Sequence, residues 1–233
     1  MIENNPTSLI YSDNYLEIEK SHINIYYGYV PKTYKLEYYQ SLLSSLSRPE
    51  QERLASIKND CKKVKSAFGR VLLFYGLKNY GITNLDDLKV MFNGKPYLKN
   101  SRNLHFNISH SGNLILCAIS DNAPIGVDVE KIKPKILDHF KSYFTDQEWH
   151  DITINDNSIK RFHELWTRKE ALIKADGRGL SIDLSSFSCL GNNEQIKGQN
   201  WHVKNFTIDK DYTCAIANKN NDPIQLIKIE SKS

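Results

Sequence analysis

No apolar run in this 233-residue chain approaches the roughly 20 residues that span a bilayer, so no membrane helix is expected. Residues 1–20 are polar and acidic, without the basic head and apolar centre of a secretory signal, and the expected location is therefore cytoplasmic. The four cysteines (Cys61, Cys117, Cys189, Cys214) form no Cys-x-x-Cys pair, which leaves no disulfide framework or zinc knuckle signalled. A Gly-x-Gly-x-x-Gly turn is absent, and that argues against a Rossmann sheet. Excess charge of one sign is lacking too. With 31 Lys+Arg against 27 Asp+Glu the net charge is +4, short of the lopsided basicity of a nucleic-acid binder. A mild positive balance suits an anionic ligand or partner without naming it.

What remains is an ordinary soluble composition, 40% hydrophobic, 11% aromatic and 25% charged, in a chain long enough for one large domain or two small ones. A β-type run at residues 23–30 is closed by Pro31, and residues 34–46 have helical spacing. Pro49 opens a long helical stretch to about Gly76 or Gly81. Strands are predicted near 90–92, 104–108 and 114–120, with turns at 93–96 and 109–113. The pattern then starts over: a strand at 125–130, helical segments to about Asp176, and strands near 187–190, 201–208 and 212–217. The echo of Cys117-Ala118-Ile119-Ser120 in Cys214-Ala215-Ile216-Ala217 adds to the repeated order. The expected fold is α+β: two similar α/β halves, 1–123 and 124–233, related by pseudo-twofold symmetry. Each would be a small, largely antiparallel sheet packed with a long helix, and a cleft between the halves would be the natural ligand site.

Four constellations could carry chemistry. Asp128-Val129-Glu130 puts two carboxylates on one face of a strand, with Cβ atoms roughly 6.5–7 Å apart, close enough to converge on a cation. The same alternation is what any half-exposed strand shows. In Trp166-Thr167-Arg168-Lys169-Glu170-Ala171-Leu172-Ile173-Lys174, residues 166, 170 and 174 share a helical stripe. Phe162, Leu165, Trp166 and Ile173 read as its anchors, and Gly177 as a left-handed cap. Glu170 and Lys174 equally fit a surface ion pair. Phe106-Asn107-Ile108-Ser109-His110-Ser111-Gly112 offers hydroxyl, backbone and imidazole groups to an anion, or is a plain turn. Adjacent Ser and His on an extended chain face opposite ways, so they are no catalytic dyad. Asn93-Gly94-Lys95-Pro96 would let backbone and ammonium approach a phosphate, or is a simple turn. Lys62, Lys63, Lys65 and Arg70 crowd one helix, as a solvated face or an anion contact.

Together, GKP, FNISHSG, IGVDVE and WTRKEALIKADGRGL, in this order, resemble the 4′-phosphopantetheinyl transferases, in particular the large, monomeric, surfactin-synthetase-activating type. The likeness is clear from Gly94 to Leu180 and looser in the flanks. It implies transfer of 4′-phosphopantetheine from coenzyme A to a serine of an apo acyl or peptidyl carrier protein, with release of 3′,5′-ADP. It implies Asp128, Glu130 and Glu170 as ligands of Mg2+ (or Mn2+), an ion that wants hard oxygen donors. Lys174 would contact the phosphates of coenzyme A, Ser109 and His110 would grip its diphosphate and 3′-phosphate, and Lys95 with Pro96 would lie beside the nucleotide. Glu170 or Glu148 would take the serine proton. Where family members often place basic residues for the 3′-phosphate, this chain has Gln51 and Leu54; Arg48, Arg53 or the 62–65 cluster, Lys65 included, are the candidate substitutes. The rival readings are a magnesium-dependent phosphodiesterase or nuclease, and a non-catalytic coenzyme A-binding module.

Overall fold

The computed structural model describes residues 23–33, 35–90, 95–101 and 103–230. Tyr34, Phe92, Asn93 and Gly94, which figure in the expectations above, lie outside the described residues. Strand β1 (Ile23–Tyr29) is followed by helices α1 (Leu36–Ser44), α2 (Arg48–Ala55) and α3 (Asp60–Lys78). The short hairpin β2 (Leu88–Val90)–β3 (Pro96–Leu98) precedes β4 (His105–Ser111) and β5 (Leu114–Ser120). The second half runs β6 (Ile125–Lys131), α4 (Asp146–Ile154), α5 (Ser158–Asp176), β7 (Asn193–Ile196), β8 (Gln199–Phe206) and β9 (Tyr212–Asn218). Strand β10 (Ile224–Lys228) comes last.

Two four-stranded sheets result, ordered β10-β1-β5-β4 and β6-β9-β8-β7. In each, the first strand of the half pairs antiparallel with that half's last long strand, β1 with β5 and β6 with β9. The period of two explains the layering. On β5, Ile115, Cys117 and Ile119 join a core with α3 residues such as Phe68, Leu72 and Leu73. The alternate residues Leu114, Leu116 and Ala118 instead meet Val127, Val129, Cys214 and Ile216 of the other sheet. Ala215 and Ala217 of β9 turn outward against Ala171, Leu172 and Ala175 of α5. The order of layers is thus helix, sheet, sheet, helix.

Three expectations change. The long first helix is two helices: after Ser56 the chain leaves the helical path, and Asn59 restarts it by accepting a hydrogen bond from the Lys62 amide. No strand forms at 187–190; Leu184–Ser186 is a 3-10 turn and the next strand begins at Asn193. The Cys-Ala-Ile echo is not a structural equivalence, because Cys117 faces α3 whereas Cys214 faces the opposite sheet. The final strand was not expected at all. It pairs in parallel with β1, Ile23 opposite Ile224, and so carries the C-terminal segment into the first half's sheet.

Candidate active site

Three elements meet where the sheets adjoin. Strand β6 lies against α5 so closely that a Cβ on Gly126 would overlap the Ala171 carbonyl oxygen and the Ala175 amide nitrogen. This contact brings Lys174, two turns into the helix from Thr167, onto the strand: its Nζ lies 2.6 Å from Asp128 Oδ1. The same ammonium donates to Ser109 Oγ on β4 at 3.1 Å, and Ser109 Oγ donates to Asp128 Oδ1 at 2.8 Å. Asp128 is buried, and its second oxygen, Oδ2, is buried without a hydrogen-bond partner among the described residues. Ser111 Oγ donates to Glu130 Oε2 at 2.8 Å.

The carboxylates feel one another. Burial first, and then the charge of Asp128, raise the pKa of Glu170 above the usual carboxylate range, with Glu130 adding to the shift and Lys174 opposing it. Glu130 is raised as well, by burial and by Asp128, while Ser111, Lys135 and Lys174 pull it down. Mutual repulsion with an orphaned buried oxygen is the signature of a place short of positive charge. Among the described residues no group of three or more His, Cys, Asp or Glu side chains is arranged to hold a metal ion by itself. The donor set nevertheless fits a hard cation that takes part of its shell from water and substrate oxygens, with Asp128 Oδ2 as its free ligand atom.

The other candidates are placed as follows. His110 shows a solvent-exposed edge, yet partial desolvation and then the charges of Lys65, Lys174 and Lys62 hold its imidazole below the ordinary value. Of the basic cluster, Lys62 and Lys65 thus make their charges felt at His110, whereas Lys63 pairs with Asp60 and Arg70 with Glu50. Gln51 instead donates to the carbonyls of Leu43 and Leu46, fastening α1 to α2, and Leu54 is fully buried. Arg48 pairs with Glu52, and Arg53 with Glu50. Lys95 Nζ donates to the backbone carbonyl of Lys174, and half-buried Pro96 opens β3. The anchors Phe162, Leu165 and Ile173 are buried, and Gly177 takes φ +85° as the cap. Trp166 packs among Phe140, Tyr143, Phe144 and Phe162.

Glu148 is the exception. It is fully buried as the third residue of α4, where it completes a capping box with Thr145. Its Oε2 also pairs with fully buried Lys169 at 2.8 Å, and its Oε1 accepts from the Cys189 amide at 2.8 Å. Lys169 in turn donates to the carbonyls of Leu184 and Phe187. With both oxygens engaged among structural partners, Glu148 is an anchor between α4, α5 and the 187–189 segment. Two residues of the site were missed, Asn107 and Ser111. The turn expected at 109–113 hid them: β4 runs on to Ser111, so 107, 109 and 111 share one face of a strand.

Comparison with known proteins finds relatives of this chain. The family model of the 4′-phosphopantetheinyl transferase superfamily matches residues 124–217, which contain β6 and α5. A 4′-phosphopantetheinyl transferase of Bacillus subtilis is 44% identical over 116 residues, 49% of this chain and 50% of that protein. The 4′-phosphopantetheinyl transferase Sfp of Bacillus subtilis (strain 168) is 29% identical over 205 residues, 83% of this chain and 91% of Sfp. A further Bacillus subtilis relative, 4′-phosphopantetheinyl transferase ffp, is 33% identical over 170 residues, 71% of this chain and 75% of its own length. Likeness at that level, over more than two thirds of both chains, means that the chain belongs to the 4′-phosphopantetheinyl transferase superfamily.

Proposed function

We propose that the protein moves the phosphopantetheine arm of coenzyme A onto a serine hydroxyl of an apo acyl or peptidyl carrier protein, acting as a cytoplasmic monomer. The serine oxygen forms a bond to the phosphorus that bears the arm. The bond from that phosphorus to the bridging oxygen breaks, and the electron pair leaves on 3′,5′-ADP. Residues 1–123 would supply nucleotide and phosphate contacts, and residues 124–233 the metal ligands and the catalytic helix. The single observation that carries the reading is the meeting of Lys174, Asp128 and Ser109, from three separate motifs, within hydrogen-bond distance.

Each side chain has a task that its position supports. Lys174 presents a positive charge where the leaving phosphate gathers negative charge. His110, Lys65 and Lys62 offer donors to the 3′-phosphate, and Ser109 to the diphosphate. Lys95 and Pro96 line the nucleotide end. With Glu148 buried in its own network, Glu170 is the carboxylate left to accept the serine proton, a contribution typically worth about 10²–10⁴-fold. Asp128, Glu130 and Glu170 would hold magnesium or manganese, which when bound would neutralise the two phosphates and orient them for displacement.

The test is intact-protein mass spectrometry of a panel of apo carrier proteins incubated with the enzyme, coenzyme A and magnesium. One carrier should gain the mass of the phosphopantetheinyl group, and Asp128→Ala should abolish the gain. A panel left unmodified, with coenzyme A bound normally, would instead support the non-catalytic module; magnesium-dependent cutting of plasmid, lost in Asp128→Ala, would support the phosphodiesterase.

A further inference from the structure

The edge strands β4 and β6 belong to different sheets and share no backbone ladder. Alternate side chains of β4 take its place. Asn107 Oδ1 accepts from the Val127 amide at 2.8 Å, Ser109 Oγ donates to Asp128, and Ser111 Oγ serves Glu130. Ser111 does more than donate, because its oxygen also accepts from the Lys131 amide at 3.0 Å. The amide occupies a lone pair and the lone hydroxyl proton faces the carboxylate, so the hydroxyl ties Glu130 Oε2 to the backbone one residue further on. The turn beyond Ser111 is clamped in turn: Tyr212 Oη donates to Asn113 Oδ1 at 2.7 Å, and a Cβ on Gly112 would run into that hydroxyl.

We propose that Ser111 is a positioning residue for Glu130, and that Asn107 fixes the register of β6 at the other end of the same seam. The inference rests on the reading of Glu130 as a cation ligand. A free carboxylate arm must be ordered each time an ion binds, whereas one tethered to its own backbone is already ordered. The buried amide acceptor at residue 107 keeps Val127, and hence the strand carrying both acids, from sliding along β4.

Binding of Mn2+ to the full-length protein, followed by electron paramagnetic resonance without coenzyme A, reads this out apart from turnover. Ser111→Ala should weaken Mn2+ binding by about tenfold, the scale typical of lost supporting hydrogen bonds around metal ligands. The metal concentration for half-maximal transfer should rise in parallel and by more than kcat falls. Ser111→Thr, which keeps the hydroxyl, should recover most of the loss; failure to recover, with the variant folded, would overturn the proposal. Wild-type Mn2+ binding by Ser111→Ala alongside weakened binding by Glu130→Gln would overturn the role of Ser111 and leave the ligand reading standing. Wild-type binding by Glu130→Gln would overturn that reading and the proposal with it.

Discussion

At the scale of single residues, the same charged side chains do opposite kinds of work depending on whether their partners leave an oxygen free. Glu148 and Lys169 are wholly buried and satisfied, so removing one partner strands the other in the core. Breaking such a pair typically costs about 3–5 kcal/mol. Glu148→Gln should therefore lower the thermal midpoint strongly while the folded fraction keeps transfer within a few-fold of wild type; a hundredfold loss of rate at unchanged stability would restore a chemical role. Thr145-x-x-Glu148 is a capping-box spacing, and that pattern was legible as a structural signal before any fold was known. His163 makes a second prediction. Its ring is buried, Nδ1 has no partner among the described residues, and Nε2 lies 3.2 Å from the Lys133 amide and 3.1 Å from its carbonyl. Burial chiefly, and the Lys135 charge, depress its pKa, against the opposing hydrogen bond to Lys133. The folded protein thus resists protonation that the unfolded chain accepts below about pH 6.5. Stability contributed by the neutral ring is present above that value and lost as pH falls. Melting curves from pH 7 to pH 5 should fall less steeply in His163→Phe than in the wild type, whatever the two absolute midpoints.

Among elements, the decisive contact is the approach of β6 to α5. Gly126→Ala inserts a methyl group against helix backbone, which cannot turn aside as a side chain can. The helix must shift, and Lys174 moves with it away from Asp128. Loss of transfer by a hundredfold or more, with a lowered thermal midpoint, is expected from kinetics and calorimetry on this variant. Wild-type rates would mean that the spacing of strand and helix does not govern the site. The sequence already contained this site in outline, since strand periodicity placed Asp128 with Glu130 and helix periodicity placed Glu170 with Lys174. It did not contain the break between α2 and α3, because 56–59 lacks glycine and proline and only the Asn59 cap marks the restart. Nor did it reveal β10, whose five residues pair in parallel with a strand at the far end of the sequence. Local pattern carries no information about such a partner.

For the molecule as a whole, the two sheets bury one another. Ile23, Ile25, Leu114 and Leu116 of one lie against Val127, Val129, Cys214 and Ile216 of the other. Tyr29 Oη adds a bond to Asp209 across the same boundary. Each sheet has a core of its own beneath its helix, but this shared apolar face would lie open without the other sheet, so the halves should unfold in one transition, with calorimetric and van't Hoff enthalpies equal. Two resolved transitions would show that each half is stable alone. The position of β10 carries one more consequence, for synthesis. A ribosome that has made β1 must add roughly two hundred residues before Ile224 can cover Ile23. Throughout that interval the nascent chain carries an open, apolar strand edge, the kind of template on which neighbouring polypeptides stick. Prompt completion of the chain, or a holding chaperone, would shield that edge, a need the finished fold no longer has.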